Sequence, residues 1–268
     1  MSEINQDGAP GSVALDVRDL AVHIGGLLAL GGISFKVPYG AIVSLIGPNG
    51  VGKTTAFNVI TGFMKATDGQ VFFRGRDLAR LTPERIAALG LVRTFQRTSL
   101  FTACTVFENV LTALHLRRRT GLFGSLLRLP PMLREEEALH AEAQEILDFI
   151  GLAGRADEIA GNLAYGEQRL LGLAIALGAK PTLLLLDEPA AGLNPSETEG
   201  FKQLIRHIRE RGTTVLLVEH DMQMVMSISD EVFVLNQGRM IAAGSPAEVQ
   251  RDPEVIRAYL GSGKRAAA

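Results

Sequence analysis

Gly47-Pro48-Asn49-Gly50-Val51-Gly52-Lys53-Thr54 fits the pattern G-x-x-x-x-G-K-S/T at every position, and its surroundings decide the fold class. The apolar run Ile42 to Ile46 precedes it and predicts a buried strand, while Thr55 to Ile60 continues as a helix. In a strand–loop–helix of this kind the glycines let backbone N–H groups turn toward a phosphate. The helix dipole favours an anion at that end. Lys53 is expected to bridge the β- and γ-phosphates, the Thr54 hydroxyl to ligate Mg²⁺, and Thr55 to complete the ATP-binding run. No Asn-Lys-x-Asp element, which would read guanine, occurs in the chain, and this leaves an adenine nucleotide.

Outward from the loop, short β-rich runs predominate from Val13 to Phe73: Leu15 to Ile24, Ile33 to Val37, Ile42 to Ile46 and Val71 to Phe73, with Gly and Pro between them. From about Val106 to Ile150 the pattern turns helical, with Pro130 and Pro131 breaking it in two. Beyond Leu183 strands and helices alternate again: Leu183 to Leu186, a helix over Ser196 to Arg211, Val215 to Glu219, then Val232 to Leu235. Alternation predicts an α/β fold with a mostly parallel sheet covered by helices and a helical lobe inserted into it. The expected division is one domain over 13–260, with its α/β core at 13–95 and 170–250 and its helical subdomain at about 96–169. Residues 1–12 and 261–268 read as flexible ends.

The composition narrows the partners. With 268 residues, 47% apolar and 21% charged, the chain is a folded globular protein. A net charge of -2 gives no electrostatic reason to expect nucleic acid. The single cysteine, Cys104, excludes an internal disulfide and fits a reducing compartment. Met1 to Ser12 is polar, which predicts no secretory signal. The most apolar region, Leu170 to Leu186, is broken by Lys180 and Pro181, and neither half reaches the roughly 20 residues of a membrane span. A soluble chain is expected, with any membrane role exercised through a partner.

A second chemical signal is Leu183-Leu184-Leu185-Leu186-Asp187-Glu188-Pro189. A fully apolar run suits a strand buried on both faces, and buried acids are costly unless paired or bound to metal. At the C-terminal end of such a strand they stand where open α/β sheets bind ligands. Alone, the two acids read equally well as solvated carboxylates opening a turn before Pro189. Beside a phosphate loop, Asp187 becomes the expected Mg²⁺ ligand and Glu188 the group that polarises the attacking water.

Further motifs then carry a family resemblance over essentially the whole chain. Leu163-Ala164-Tyr165-Gly166-Glu167-Gln168-Arg169 resembles the signature of ABC ATPases. Gln96, in Arg93-Thr94-Phe95-Gln96, is similar to their Q-loop glutamine. Ala191-Gly192-Leu193-Asn194 resembles the D-loop, and His220, after Leu217-Val218-Glu219, the switch histidine. The resemblance implies the P-loop NTPase ABC ATPase fold, with a mostly parallel core, an antiparallel β subdomain and an inserted helical subdomain. It also implies ATP and Mg²⁺ as cofactors and a head-to-tail ATPase dimer. Ala164, Tyr165, Gly166, Glu167 and Gln168 would then contact ATP from across the interface. His220 would act at the γ-phosphate and Gln96 near Mg²⁺ and the water.

Two departures from the family pattern stand out. Ala164 replaces the usual signature serine, so a hydroxyl contact of about 1.5–3 kcal/mol is missing. Ile24 stands where many relatives carry an adenine-stacking aromatic, and it covers the ring without aromatic pairing.

The stretches Ile46 to Thr55, Gly121-Leu122-Phe123, Glu188 to Pro195, Glu219-His220-Asp221-Met222 and Val255 to Gly261 narrow the resemblance further. They are similar to the larger ATPase subunit of branched-chain amino acid importers. That implies a second ATPase subunit, two membrane permeases, an extracytoplasmic solute-binding protein and a peripheral place on the cytoplasmic face of the inner membrane. No residue here reads the cargo, so urea or aromatic-acid import stays open. A soluble non-transport ABC ATPase is the alternative of another class, but the chain has one cassette and no long heptad run.

Overall fold

The computed structural model describes residues 12–94, 100–115 and 130–262, which form two compact units. The first holds the chain up to Arg93, Thr182–Ala191, and Thr198 onward; the second holds Thr94–Pro181 and Gly192–Glu197.

The first unit contains two sheets. In one, β1 (Val13–Ile24) and β2 (Leu27–Pro38) form an antiparallel hairpin, and β1 pairs on its other side with β4 (Asp68–Phe73), which pairs with β5 (Arg76–Asp77). The hairpin turns on Gly25-Gly26, both at positive φ, the conformation that matches the twist of the flanking strands. The strand expected to start at Ile33 thus starts at Leu27. Gly31-Gly32 and the irregular register across this stretch hide its alternation.

The other sheet has the order β10-β9-β3-β8-β7-β6. Its members are β3 (Ile42–Ile46), β6 (Leu91–Arg93), β7 (Leu183–Asp187), β8 (Thr214–Val218), β9 (Glu231–Asn236) and β10 (Arg239–Gly244). All neighbours run parallel except β10, which returns antiparallel along β9. Every residue of β3, β7 and β8 is buried, as continuous apolar strands in a covered parallel sheet must be. On one face of the sheet β1, β2 and β4, with α1 (Lys53–Ile60) and α2 (Pro83–Ala88), build a core that includes Leu15, Ile33, Phe57, Ile60 and Ile86. Phe35 and Phe233 meet in it with ring centroids 5.3 Å apart. A smaller cluster forms around Ile46, Val232 and Val234. It joins Val225 of α7 (Met222–Ile228), Val249 of α8 (Pro246–Arg251) and Val255 of α9 (Pro253–Ser262), with Met222, Met226 and Tyr259 at its margin. The helix α6 (Pro195–Glu210) buries Phe201, Leu204, Ile205 and Ile208, the i, i+3, i+4, i+7 stripe of an amphipathic helix.

The second unit is helical. Its members are α3 (Val106–His115), α4 (Pro130–Ile150) and α5 (Tyr165–Gly178). Proline in the first turn costs no hydrogen bond, and α4 accordingly begins at Pro130. Gly178 lets α5 approach α3 closely, because a Cβ there would stand 3.2 Å from that of Ala113. Among the described residues no helix is long and apolar enough to cross a membrane.

Candidate nucleotide site

Three adjacent strands deliver the chemistry to one edge. Val218 of β8 pairs with Leu45 of β3 on one side and Asp187 of β7 on the other. The residues that follow therefore leave the sheet together: Gly47 after β3, Glu188 after β7, Glu219 and His220 after β8. Glu188 N–H donates to the Val218 carbonyl at 2.8 Å, which extends the pairing into the loop. This is the C-terminal edge at which parallel sheets take ligands.

Sterics shape the phosphate loop. A Cβ on Gly47 would lie 2.1 Å from the Leu235 carbonyl oxygen, and one on Gly52 would lie 2.5 Å from the Ala29 oxygen, so only glycine fits at either position. Gly52, at φ 105°, caps α1 and sets its first-turn N–H groups toward the loop. Pro48 is half-buried, Asn49, Gly50 and Thr54 are exposed, and Thr55 is half-buried. The Val51 side chain is buried in the core, which leaves its backbone as the part able to meet a ligand. Lys53 is buried, and its Nζ donates to the Gly47 and Pro48 carbonyls at 2.6 and 3.0 Å. Burial pulls its pKa below the ordinary lysine value, against the opposing pull of the Glu188, Asp187 and Glu219 carboxylates. Ile24, half exposed at 49%, ends β1 on the hairpin whose Ala29 and Leu30 press on Gly52.

On the acidic side, Asp187 Oδ2 accepts from Arg93 Nη2 at 2.7 Å, while Arg93 Nη1 donates to Asn58 Oδ1 of α1 at 2.7 Å. The Arg93 guanidinium also stands 5.5 Å from the Phe57 ring centre. Glu188 holds φ 48°, a left-handed backbone that is uncommon outside glycine and concentrates at functional positions. His220 is 53% exposed, with Nδ1 3.9 Å from both Glu188 Oε1 and Glu219 Oε2. The Asp221 carboxylate accepts from Gln223 and Met224 N–H, starting α7 directly after the histidine. Burial pushes the Glu219 carboxyl above its ordinary pKa, while backbone N–H groups of Ala190, His220 and Asp221 pull it down.

The signature residues lie in the helical unit, where α5 starts at Tyr165. Ala164 is its N-cap and offers no side-chain acceptor. Glu167 accepts from the Ala164 N–H at 3.0 Å and from Arg155 Nη1 at 2.6 Å, and Gln168 Nε2 donates to the Leu163 carbonyl. These side chains serve their own loop, so the α5 N-terminus is left to present backbone N–H groups at Tyr165 and Gly166. Tyr165 also packs against Gly192, where a Cβ would meet its ring at 2.9 Å. Gln96 lies outside the described residues, as does Gly121-Leu122-Phe123. Two site-edge residues escaped the sequence reading: Arg93 and Glu219 were visible only as parts of motifs. The local signal for either is a charge that closes an apolar run, Leu91-Val92 before Arg93 and Leu216-Leu217-Val218 before Glu219.

The strand-edge constellation defines the class, an ATP-binding cassette. Residues 30–191 match the ABC transporter family and residues 239–265 the branched-chain amino acid ATP-binding cassette transporter family. The chain belongs to the ABC transporter ATP-binding family, on the branch of the branched-chain amino acid transport ATP-binding proteins. It is 49% identical over 248 residues to the high-affinity branched-chain amino acid transport ATP-binding protein LivG of Salmonella typhimurium, covering 92% of this chain and 97% of that one. To BraF of Pseudomonas aeruginosa it is 46% identical with the same coverage. Among solved structures, the ADP conformation of MJ1267, an ATP-binding cassette of an ABC transporter, superposes with a TM-score of 0.82 at 32% identity. That match covers 93% of this chain and 99% of the other.

Proposed function

We propose that this chain is the ATP-hydrolysing subunit of a branched-chain amino acid importer. The observation that carries the proposal is the convergence of Gly47, Glu188 and His220 at the ends of three neighbouring strands, in a chain whose relatives at 46–49% identity are named for that transport.

The loop from Gly47 to Thr54 holds the triphosphate through backbone N–H groups, with Lys53 exchanging its loop carbonyls for phosphate oxygens. Glu188 accepts hydrogen bonding from the attacking water and orients it toward the γ-phosphorus. His220, beside Glu188, steadies the γ-phosphate, and Gln96 keeps the role at the water that its motif implies. The hard oxygen donors Thr54 and Asp187 suit Mg²⁺, which keeps few protein ligands and takes the rest from phosphate and water. When bound, Mg²⁺ neutralises charge on the phosphates. The signature residues Ala164 to Gln168 serve the site of a second ATPase subunit, their backbone N–H groups facing its γ-phosphate. Closure of that pair drives two membrane permeases, fed by an extracytoplasmic solute-binding protein, from the cytoplasmic face of the membrane.

The test is purification from membranes with whatever permeases accompany the chain, reconstitution into vesicles, and ATP-driven uptake of labelled leucine, urea and benzoate. Uptake of leucine alone is the expected result. Uptake of urea or benzoate without leucine overturns the cargo, and recovery of the chain from membranes with no permease overturns the transport role.

A further inference from the structure

Glu219 is 1% exposed, so its carboxylate must be satisfied from within the protein. Its two oxygens divide that task between two loops. Oε1 accepts from the Ala190 N–H at 2.9 Å, two residues beyond Glu188 in the loop after β7. Oε2 accepts from the His220 N–H at 3.0 Å and faces the Asp221 N–H at 3.5 Å, in the loop after β8. The carboxylate thus spans the gap between the segment that carries Glu188 and the one that carries His220. It is also the residue immediately before His220, so a shift in its position moves the imidazole directly.

We infer that Glu219 is a positioning residue for hydrolysis: it fixes the separation of Glu188 and His220, whose side chains approach to 3.9 Å. The inference rests on the ATPase reading above. The hydrogen bonds of Glu219 are separate from the nucleotide loop, because Gly47 to Thr54 leave the sheet from β3 and none of their backbone groups is held by Glu219 among the described hydrogen bonds. Its charge acts on Lys53 only as the smallest of three carboxylate pulls. A carboxylate suits the role because both of its oxygens accept. Glutamine has the same shape but one acceptor oxygen, and it sets an NH₂ donor against a backbone N–H on the other side. One of the two loops must then let go.

The experiment compares full-length wild type, Glu219→Gln and Glu219→Asp in steady-state ATP hydrolysis, in equilibrium binding of a fluorescent ATP analogue, and in thermal melting. The expected result for Glu219→Gln is a kcat lowered about 10- to 100-fold, as small misplacements of reacting groups produce, with KM and analogue affinity within about twofold of wild type. Glu219→Asp keeps two acceptor oxygens on a shorter arm and should recover part of the lost kcat. An unchanged kcat in Glu219→Gln overturns the inference. So does a loss of kcat, analogue affinity and melting temperature in step, which is what a purely structural role produces. A wild-type chain that hydrolyses no ATP, alone or with its partners, removes the ATPase reading itself; an active wild type with an equally active Glu219→Gln removes the strut alone.

Discussion

Arg93 and Asp187 form an ion pair 2.7 Å long whose side chains are only 6% and 2% exposed. It joins the edge strand β6 to the acidic end of β7, and through Asn58 it reaches the helix that follows the phosphate loop. One oxygen of the expected Mg²⁺ ligand is therefore already committed to an arginine. The segment that holds this arginine runs on three residues to Gln96.

Removing the cation should leave a buried carboxylate without its ion-pair partner. Arg93→Ala is expected to lower folding stability by about 3–5 kcal/mol in urea denaturation. Lysine at this position should recover only part of that, because its single nitrogen does not reproduce the planar fork that sets separate nitrogens on Asp187 and Asn58. A loss below about 1 kcal/mol in Arg93→Ala would mean that the pair contributes little.

Binding and turnover should separate at the two acidic and basic ends of the site. Glu188→Gln keeps the side-chain volume and removes only the water-activating charge, so kcat should fall about 100-fold or more while ATP still binds. Hydrolysis within a few-fold of wild type would refute the role given to Glu188.

Lys53→Ala acts on the other side of that division. Losing a charged donor to phosphate should weaken ATP binding about 10- to 100-fold by titration calorimetry. An affinity within twofold of wild type would count against the phosphate-loop geometry.

Tyr259 gives a pH-dependent signature. Burial pushes its phenol from 10.0 up to about 12, against a smaller downward pull from the Gly47 backbone N–H. The folded-state value is raised, so the stability linked to this group is whole below pH 10 and is lost as pH climbs toward 12. In an ultraviolet titration of the folded chain, Tyr259 should ionise late, and Tyr259→Phe should abolish that late step. A titration unchanged by Tyr259→Phe would contradict the burial.

Much of this protein is written in near-neighbour chemistry. Gly47 and Gly52 are readable from their spacing, but the groups that exclude a side chain there, the Leu235 and Ala29 carbonyls, come from distant strands. Lysine at 53 and the apolar runs of β3, β7 and β8 follow from charge and burial over a few residues and are readable along the chain. The two acids ending β7 are readable for the same reason, because a charge closing an apolar strand needs a partner. The strand order β3-β8-β7 is another matter, since three equally apolar strands carry no local mark of which stands between the others. That order, set by sheet assembly over more than a hundred residues, brings Gly47, Glu188 and His220 to one edge. The return strand β10 was equally hidden, its turn at Gln237-Gly238 being visible only once both residues show positive φ. Arg93 finds Asp187 from 94 positions away, and Glu219 finds Ala190 from 29. The sequence by itself therefore determined the chemistry present, because short-range sterics and charge select residue types. Only the tertiary structure decided which groups hold that chemistry in place, because their partners are chosen by packing between distant strands.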